Sequence, residues 1–188
     1  EVMQLKSNTA RLRISLLWKV GAKSTIIYGS DVLGVTPTDI LRLRSLQMTS
    51  STAYTRGMAG EIFWAITTDE DPSRLALSTM VRWAREIWYT TLPADTRQHQ
   101  DILHLAELTA FFQAAKVQLN QTEGQTWARR TRGPISNMLQ WVAHMGWKMP
   151  MAILLIDPEG TPMSLREVPP GVVVDKMHSS YTLHMRDS

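Results

Sequence analysis

Apolar positions recur at helical spacing along most of this chain and give way to strand-like runs only near its end. Ser7 or Asn8 can cap a helix over about 9–22, with Leu12, Leu16, Leu17 and Val20 as its stripe and Gly21 as its stop. Arg11, Arg13 and Lys19 fall mainly off that stripe. Ile26-Ile27-Tyr28 continues as a short apolar segment, and Gly29 and Gly34 bracket a bend. Thr36 caps a second helix with Pro37 at its first position, where no N–H is needed. Ile40, Leu43, Leu46 and Gln47 define its inner side, while Arg42 and Arg44 point elsewhere. Gly57 and Gly60 break the pattern, and Ile62, Phe63 and Ile66 suggest a short helix.

Asp71-Pro72 opens a long helix, with Asp71 as its N-cap and Asp69 and Glu70 near the positive dipole end. Its apolar face is Leu77, Met80, Val81, Ala84, Ile87 and Trp88, and Pro93 ends it. A segment from about 97 to 120 buries Ile102, Leu105, Leu108, Ala110, Phe112 and Leu119. Gly133-Pro134 starts a helix through Met138, Leu139, Trp141, Val142 and Met145, stopped by Gly146. Met151 to Ile156 reads as a strand, Asp157-Pro158-Glu159-Gly160 as a turn, and Thr161 to Val168 as the return strand. Met163, Leu165 and Glu167 would share one face of it. Pro169-Pro170 starts a last helix with Val172, Val173, Met177, Tyr181 and Leu183 as apolar positions. The expected fold is mainly α: a helical bundle with a small C-terminal β-hairpin and a final helix. The expected divisions are a basic helical segment over 1–56, a helical linker bundle over 57–148, and hairpin plus helix over 149–188.

Composition narrows the class. The chain has 188 residues, 44% hydrophobic and 20% charged, enough apolar content for a core and unlike a disordered segment. No apolar run approaches the roughly 20 residues of a membrane span, so no membrane partner is expected. The first residues lack the apolar stretch of a signal peptide. The absence of cysteine removes disulfides and Cys-based zinc sites and fits an intracellular protein, nuclear or cytoplasmic. Asn120-Gln121-Thr122 matches a glycosylation sequon and is read as chance. The chain begins with Glu1 rather than Met and is expected to be a piece of something longer.

Net charge is only +3, but its distribution is uneven. Residues 1–60 carry eight basic groups (Lys6, Arg11, Arg13, Lys19, Lys23, Arg42, Arg44, Arg56) against three acidic ones. Residues 61–123 carry five basic and nine acidic groups. Residues 124–148 carry Arg129, Arg130, Arg132 and Lys148 with no acid, and the remainder is net acidic. Such blocks are expected where certain faces meet a polyanion; ordinary scatter of surface charge is the plain alternative.

No catalytic constellation emerges. Gly21-Ala22-Lys23-Ser24-Thr25 fails as a phosphate-binding loop, because Ala22 stands where the glycine before the lysine is required. His99 and His104 are five apart and do not share a helical face; Asp101 and His104 could, but a metal needs more ligands. No Gly-x-Ser-x-Gly elbow is present. Trp18, Trp83, Trp88 and Trp141 lie on or beside apolar faces and read as core. Trp127, beside Arg129 and Arg130 in a polar stretch, is the best candidate for an exposed ring that stacks on bases. Trp147 follows the Gly146 stop and is expected to pin the hairpin to the helices.

Several landmarks occur in an order that resembles the region following the catalytic palm in reverse transcriptases of non-LTR retrotransposons. They are Ala22 with Tyr28-Gly29-Ser30-Asp31-Val32-Leu33-Gly34; Thr36 through Arg44; Asp71-Pro72 followed by Arg82-Trp83-Ala84-Arg85-Glu86-Ile87-Trp88; Gly133-Pro134-Ile135-Ser136 leading to Gly146-Trp147; and Ile156-Asp157-Pro158-Glu159-Gly160. Together they span most of the chain. The family's Tyr-x-Asp-Asp signature is absent, and no Asp-Asp pair occurs anywhere. The resemblance therefore implies a thumb-like and linker segment of an RNA-directed DNA polymerase, inactive by itself. It implies no cofactor within this segment, with Mg²⁺ expected only in the palm. The implied partners are an RNA–DNA hybrid or RNA, and the palm of the same polyprotein. Grip on such a duplex comes from phosphate and sugar contacts. The candidate contacts are Arg11, Arg13, Lys19 and Lys23 first, Arg42 and Arg44 second, and Arg129, Arg130 and Arg132 with Trp127 third. The alternative is a helical structural or protein-interaction domain without nucleic-acid binding.

Overall fold

The computed structural model describes residues 34–50, 63, 71–93 and 104–186 of the chain. The expected helix over 9–22, and Arg11, Arg13, Lys19 and Lys23 with it, lie outside the described residues. The fold is mainly helical, with a small three-stranded antiparallel sheet and a C-terminal helix. By its internal contacts the chain divides into two compact units, Glu1–Leu75 and Ala76–Ser188.

In the first unit, helix α1 (Pro37–Ser50) starts as its sequence dictates. The Thr36 hydroxyl oxygen accepts the Asp39 N–H at 3.1 Å, and the Thr36 N–H donates back to the Asp39 carboxylate at 3.2 Å. This reciprocal box satisfies two donors that a helix start leaves open. Ile40, Leu43 and Gln47 are buried, as expected, but Leu46 is 53% exposed. Phe63 is fully buried. Asp71 caps the entry to α2 (Arg74–Tyr89) by accepting the Ser73 N–H at 2.9 Å.

In the second unit, α2 buries Ala76, Leu77, Met80, Trp83, Ala84 and Ile87 on one face, while Val81 and Trp88 are half-buried. Helix α3 (Leu105–Gln121) buries Leu108, Phe112 and Leu119; Leu105 is half-buried and Ala110 exposed. The Glu107 carboxylate accepts the His104 N–H at its start, at 2.8 Å. A four-residue helix, α4 (Trp127–Arg130), leads to α5 (Pro134–His144), which packs against α3 and then the sheet. Helix α5 ends in the hydrogen-bond pattern that glycine permits: Gly146 at φ 76° donates to the Ala143 carbonyl, and Trp147 N–H to that of Val142. Trp147, the residue after Gly146, is buried.

The sheet has the order β1 (Lys148–Met151), β2 (Leu154–Ile156), β3 (Pro162–Ser164), all antiparallel. Its strands are shorter than the sequence suggests, and the expected single strand over 151–156 is broken by a turn at Ala152-Ile153. Neither residue is a turn former. The turn is held from outside: the Trp83 indole N–H donates to the Ala152 carbonyl at 2.9 Å, and Leu165 N–H to the Ile153 carbonyl at 2.8 Å. The second turn is the expected one, with Gly160 at φ 90° and Thr161 N–H donating to the Asp157 carboxylate at 2.7 Å. The outer edge of β1 carries Pro150, and the Lys116 ammonium donates to the Pro150 carbonyl at 3.1 Å, which blunts that edge against further pairing.

Helix α6 (Pro170–Arg186) buries Val173, Met177 and Tyr181 at i, i+4, i+8; Val172 is 54% exposed. Tyr181 meets Trp141 of α5 at 6.0 Å between ring centroids. The Lys176 ammonium donates to the buried Asp157 carboxylate at 2.8 Å, tying α6 to the β2–β3 turn. That bond first, and the Thr161 N–H second, hold the Asp157 carboxyl below the usual carboxylate range.

Candidate nucleic-acid interface

The two arginines of α1 have different fates. Arg42 is exposed. Arg44 is half-buried, with Nε 3.3 Å from the Asp71 carboxylate and both side chains only 16% exposed. Asp71 is the same group that caps α2, so Arg44 contributes to holding that cap as well as carrying charge.

The stretch 126–133 has a defined shape. Within α4 the positions alternate between packing and display. Trp127 and Arg130, three apart, turn inward and are half-buried; Ala128 and Arg129 are exposed, as is Arg132. Trp127 is therefore less exposed than its polar neighbours suggest. Its ring lies edge-on to Trp141 at 5.1 Å and to His144 at 5.6 Å, and its indole N–H approaches the Asn137 side-chain oxygen at 3.4 Å. Edge-to-face aromatic packing of this kind contributes about 0.5–1.5 kcal/mol beyond burial. It makes Trp127 an anchor for the loop, with its capacity for stacking on a base reduced accordingly.

The backbone of this loop is largely satisfied from within. Arg129 and Arg130 N–H groups both donate to the Thr126 carbonyl, and Thr131 N–H to that of Trp127. The Arg132 N–H donates to the Ser136 hydroxyl at 3.0 Å, and that hydroxyl donates to the Gly133 carbonyl. The Thr131 hydroxyl donates to the Trp127 carbonyl at 3.1 Å, with Thr131 itself buried. From α3, the Gln118 side-chain amide donates to the Arg130 carbonyl at 2.7 Å. Gln118 and Ser136 carry no local sequence signal for this role. Gln118 acts twelve residues away in the chain and would be found only by knowing that α3 passes beside the loop.

The arrangement brings Trp127, Arg129, Arg130 and Arg132 together on one short element. Arg42 and Arg44 belong to the first unit. The residues carry no nucleophile–base pair, and among the described residues no group of three metal-ligating side chains occurs. Among the described residues, no helix is long and apolar enough to cross a membrane.

Comparison of the chain with protein-family models, with curated proteins and with solved structures finds no match in any of the three.

Proposed function

We propose that this chain is a non-catalytic, post-palm segment of a retroelement reverse transcriptase, gripping primer–template nucleic acid without performing the chemistry. The observation that carries the reading is the display of Arg42, Arg129 and Arg132 within the two stretches of sequence where basic residues outnumber acids. Exposed guanidinium groups on firm backbone are what sequence-independent phosphate contact requires. The ordered landmarks from Tyr28 to Gly160 support the same reading. The palm, which that resemblance places upstream, would supply the catalytic carboxylates and their Mg²⁺.

A second reading has its own support. Leu41 and Leu46 of α1, and Phe111 and Val117 of α3, are each more than half exposed. Exposed apolar side chains on two helices suit a protein-interaction domain.

Binding of the full chain to a labelled RNA–DNA hybrid at low salt separates the two. The first reading expects binding, weakened when Arg11, Arg13, Lys19 and Lys23 are changed together to Gln. No binding at low salt would overturn it in favour of the second. Binding that the fourfold change leaves intact would remove those four residues from the interface.

A further inference from the structure

We propose that Trp127–Arg132 is a preshaped clip for phosphodiester groups, in which Arg129 and Arg132 make the contacts and Gln118 holds the clip in shape. The inference rests on the nucleic-acid reading above and assigns a place and a division of labour within it. Three observations lead to it.

The first is which groups remain to bind. The backbone N–H groups of Arg129, Arg130, Thr131 and Arg132 all donate within the protein. Those four are not available to a phosphate, so contact along Arg129 to Arg132 has to come from side chains. Of the three arginines, Arg130 is turned inward and half-buried, with its Nε enclosed and without a hydrogen-bond partner. Arg129 and Arg132 are exposed. A guanidinium presents paired donors that match two oxygens of one phosphate, which neither lysine nor glutamine reproduces.

The second is charge. Residues 124–148 hold four basic groups and no acid, while 104–123 hold Glu107 and Glu123 against Lys116 alone. Lys116 is directed to the Met149 and Pro150 carbonyls. Within this part of the chain, positive charge available to a partner is concentrated at the clip.

The third is preorganisation. Ordering a loop on binding costs conformational entropy for each immobilised long side chain, and more for backbone. Here the backbone is already fixed by the Trp127 ring packing, the Thr131 and Ser136 hydroxyls, and the Gln118 amide on the Arg130 carbonyl. Gln118 ties the clip to α3, beside the ties that Ser136, Asn137 and Trp141 make from α5. It touches no partner itself and is a positioning residue.

The test is the salt dependence of hybrid binding by the full chain, read as the slope of log affinity against log salt. Changing Arg129 and Arg132 together to Gln is expected to lower that slope by about 2 and to weaken binding at low salt by tenfold or more, because each lost phosphate contact removes about one released counterion. Gln118→Met keeps the side chain's size and loses its donor. It is expected to weaken binding several-fold with the slope unchanged and to speed amide exchange at residues 128–132. A double arginine variant that binds with unaltered affinity and slope would overturn the clip and leave the general reading standing. A Gln118→Met variant with unaltered affinity, or with a slope lowered like that of the double variant, would overturn its positioning role. Failure of the unaltered chain to bind hybrid at low salt would overturn both the clip and the reading beneath it. Equal capture of a polyglutamate peptide in place of the hybrid would assign the clip to acidic protein instead.

Discussion

Asp157 connects two elements through one carboxylate, with one oxygen on the Thr161 N–H and the other on the Lys176 ammonium. Both contacts favour the charged form, so its folded-state pKa lies below its unfolded value. The resulting stabilisation is complete above the ordinary aspartate range, near pH 4, and is lost as pH falls through the lower folded value. Asp157→Asn keeps an acceptor for Thr161 and loses the ion pair. Its melting temperature is expected below that of the unaltered chain at pH 7, with the gap narrowing toward pH 3. A gap constant over that range would contradict the assignment. Trp83 gives a second test at this scale. Trp83→Phe keeps a ring in the core and deprives the buried Ala152 carbonyl of its donor, a loss of about 1–3 kcal/mol. Urea denaturation should show a lowered midpoint. The apolar spacing of α2 identifies Trp83 as core. Its hydrogen bond spans 69 residues of sequence and has no local trace.

The elements were most legible where their ends carry their own chemistry. Thr36-Pro37, Gly146 after the last apolar position of α5, and Asp157 to Gly160 each name a boundary that the structure contains. These features depend on residues within about five positions of one another, which a sequence displays directly. Gly146→Ala would put a side chain at φ 76°, where an L-residue is disfavoured by about 1–2 kcal/mol. The nearest atoms a new Cβ would meet are those of Pro158 at ordinary contact distance, so the loss would come from backbone conformation alone. Chemical denaturation of that variant checks the value; no change in midpoint would mean that α5 does not need its cap. The turn at Ala152-Ile153 was not legible, because apolar residues there read as continued strand and the donors that stabilise the turn arrive from α2 and Leu165. Leu46 shows the same limit from the other side: helical spacing groups it with Ile40 and Leu43, yet only those two are buried.

For the whole molecule, alternation of charge is the feature on which the proposed function rests. A net charge of +3 says little about partners, whereas basic stretches separated by an acidic one confine attraction for a polyanion to particular surfaces. The sequence identifies those stretches and the three arginines of the second. It does not distinguish Arg130, turned inward, from Arg129 and Arg132, nor Arg44, paired with Asp71, from Arg42. That sorting follows from tertiary packing. The most direct test of the central claim is the affinity of the intact chain for an RNA–DNA hybrid measured from about 50 to 200 mM salt. Several phosphate contacts predict a steep linear fall in log affinity, with a slope of several units. Affinity independent of salt, or no binding at the lowest salt, would contradict a nucleic-acid grip.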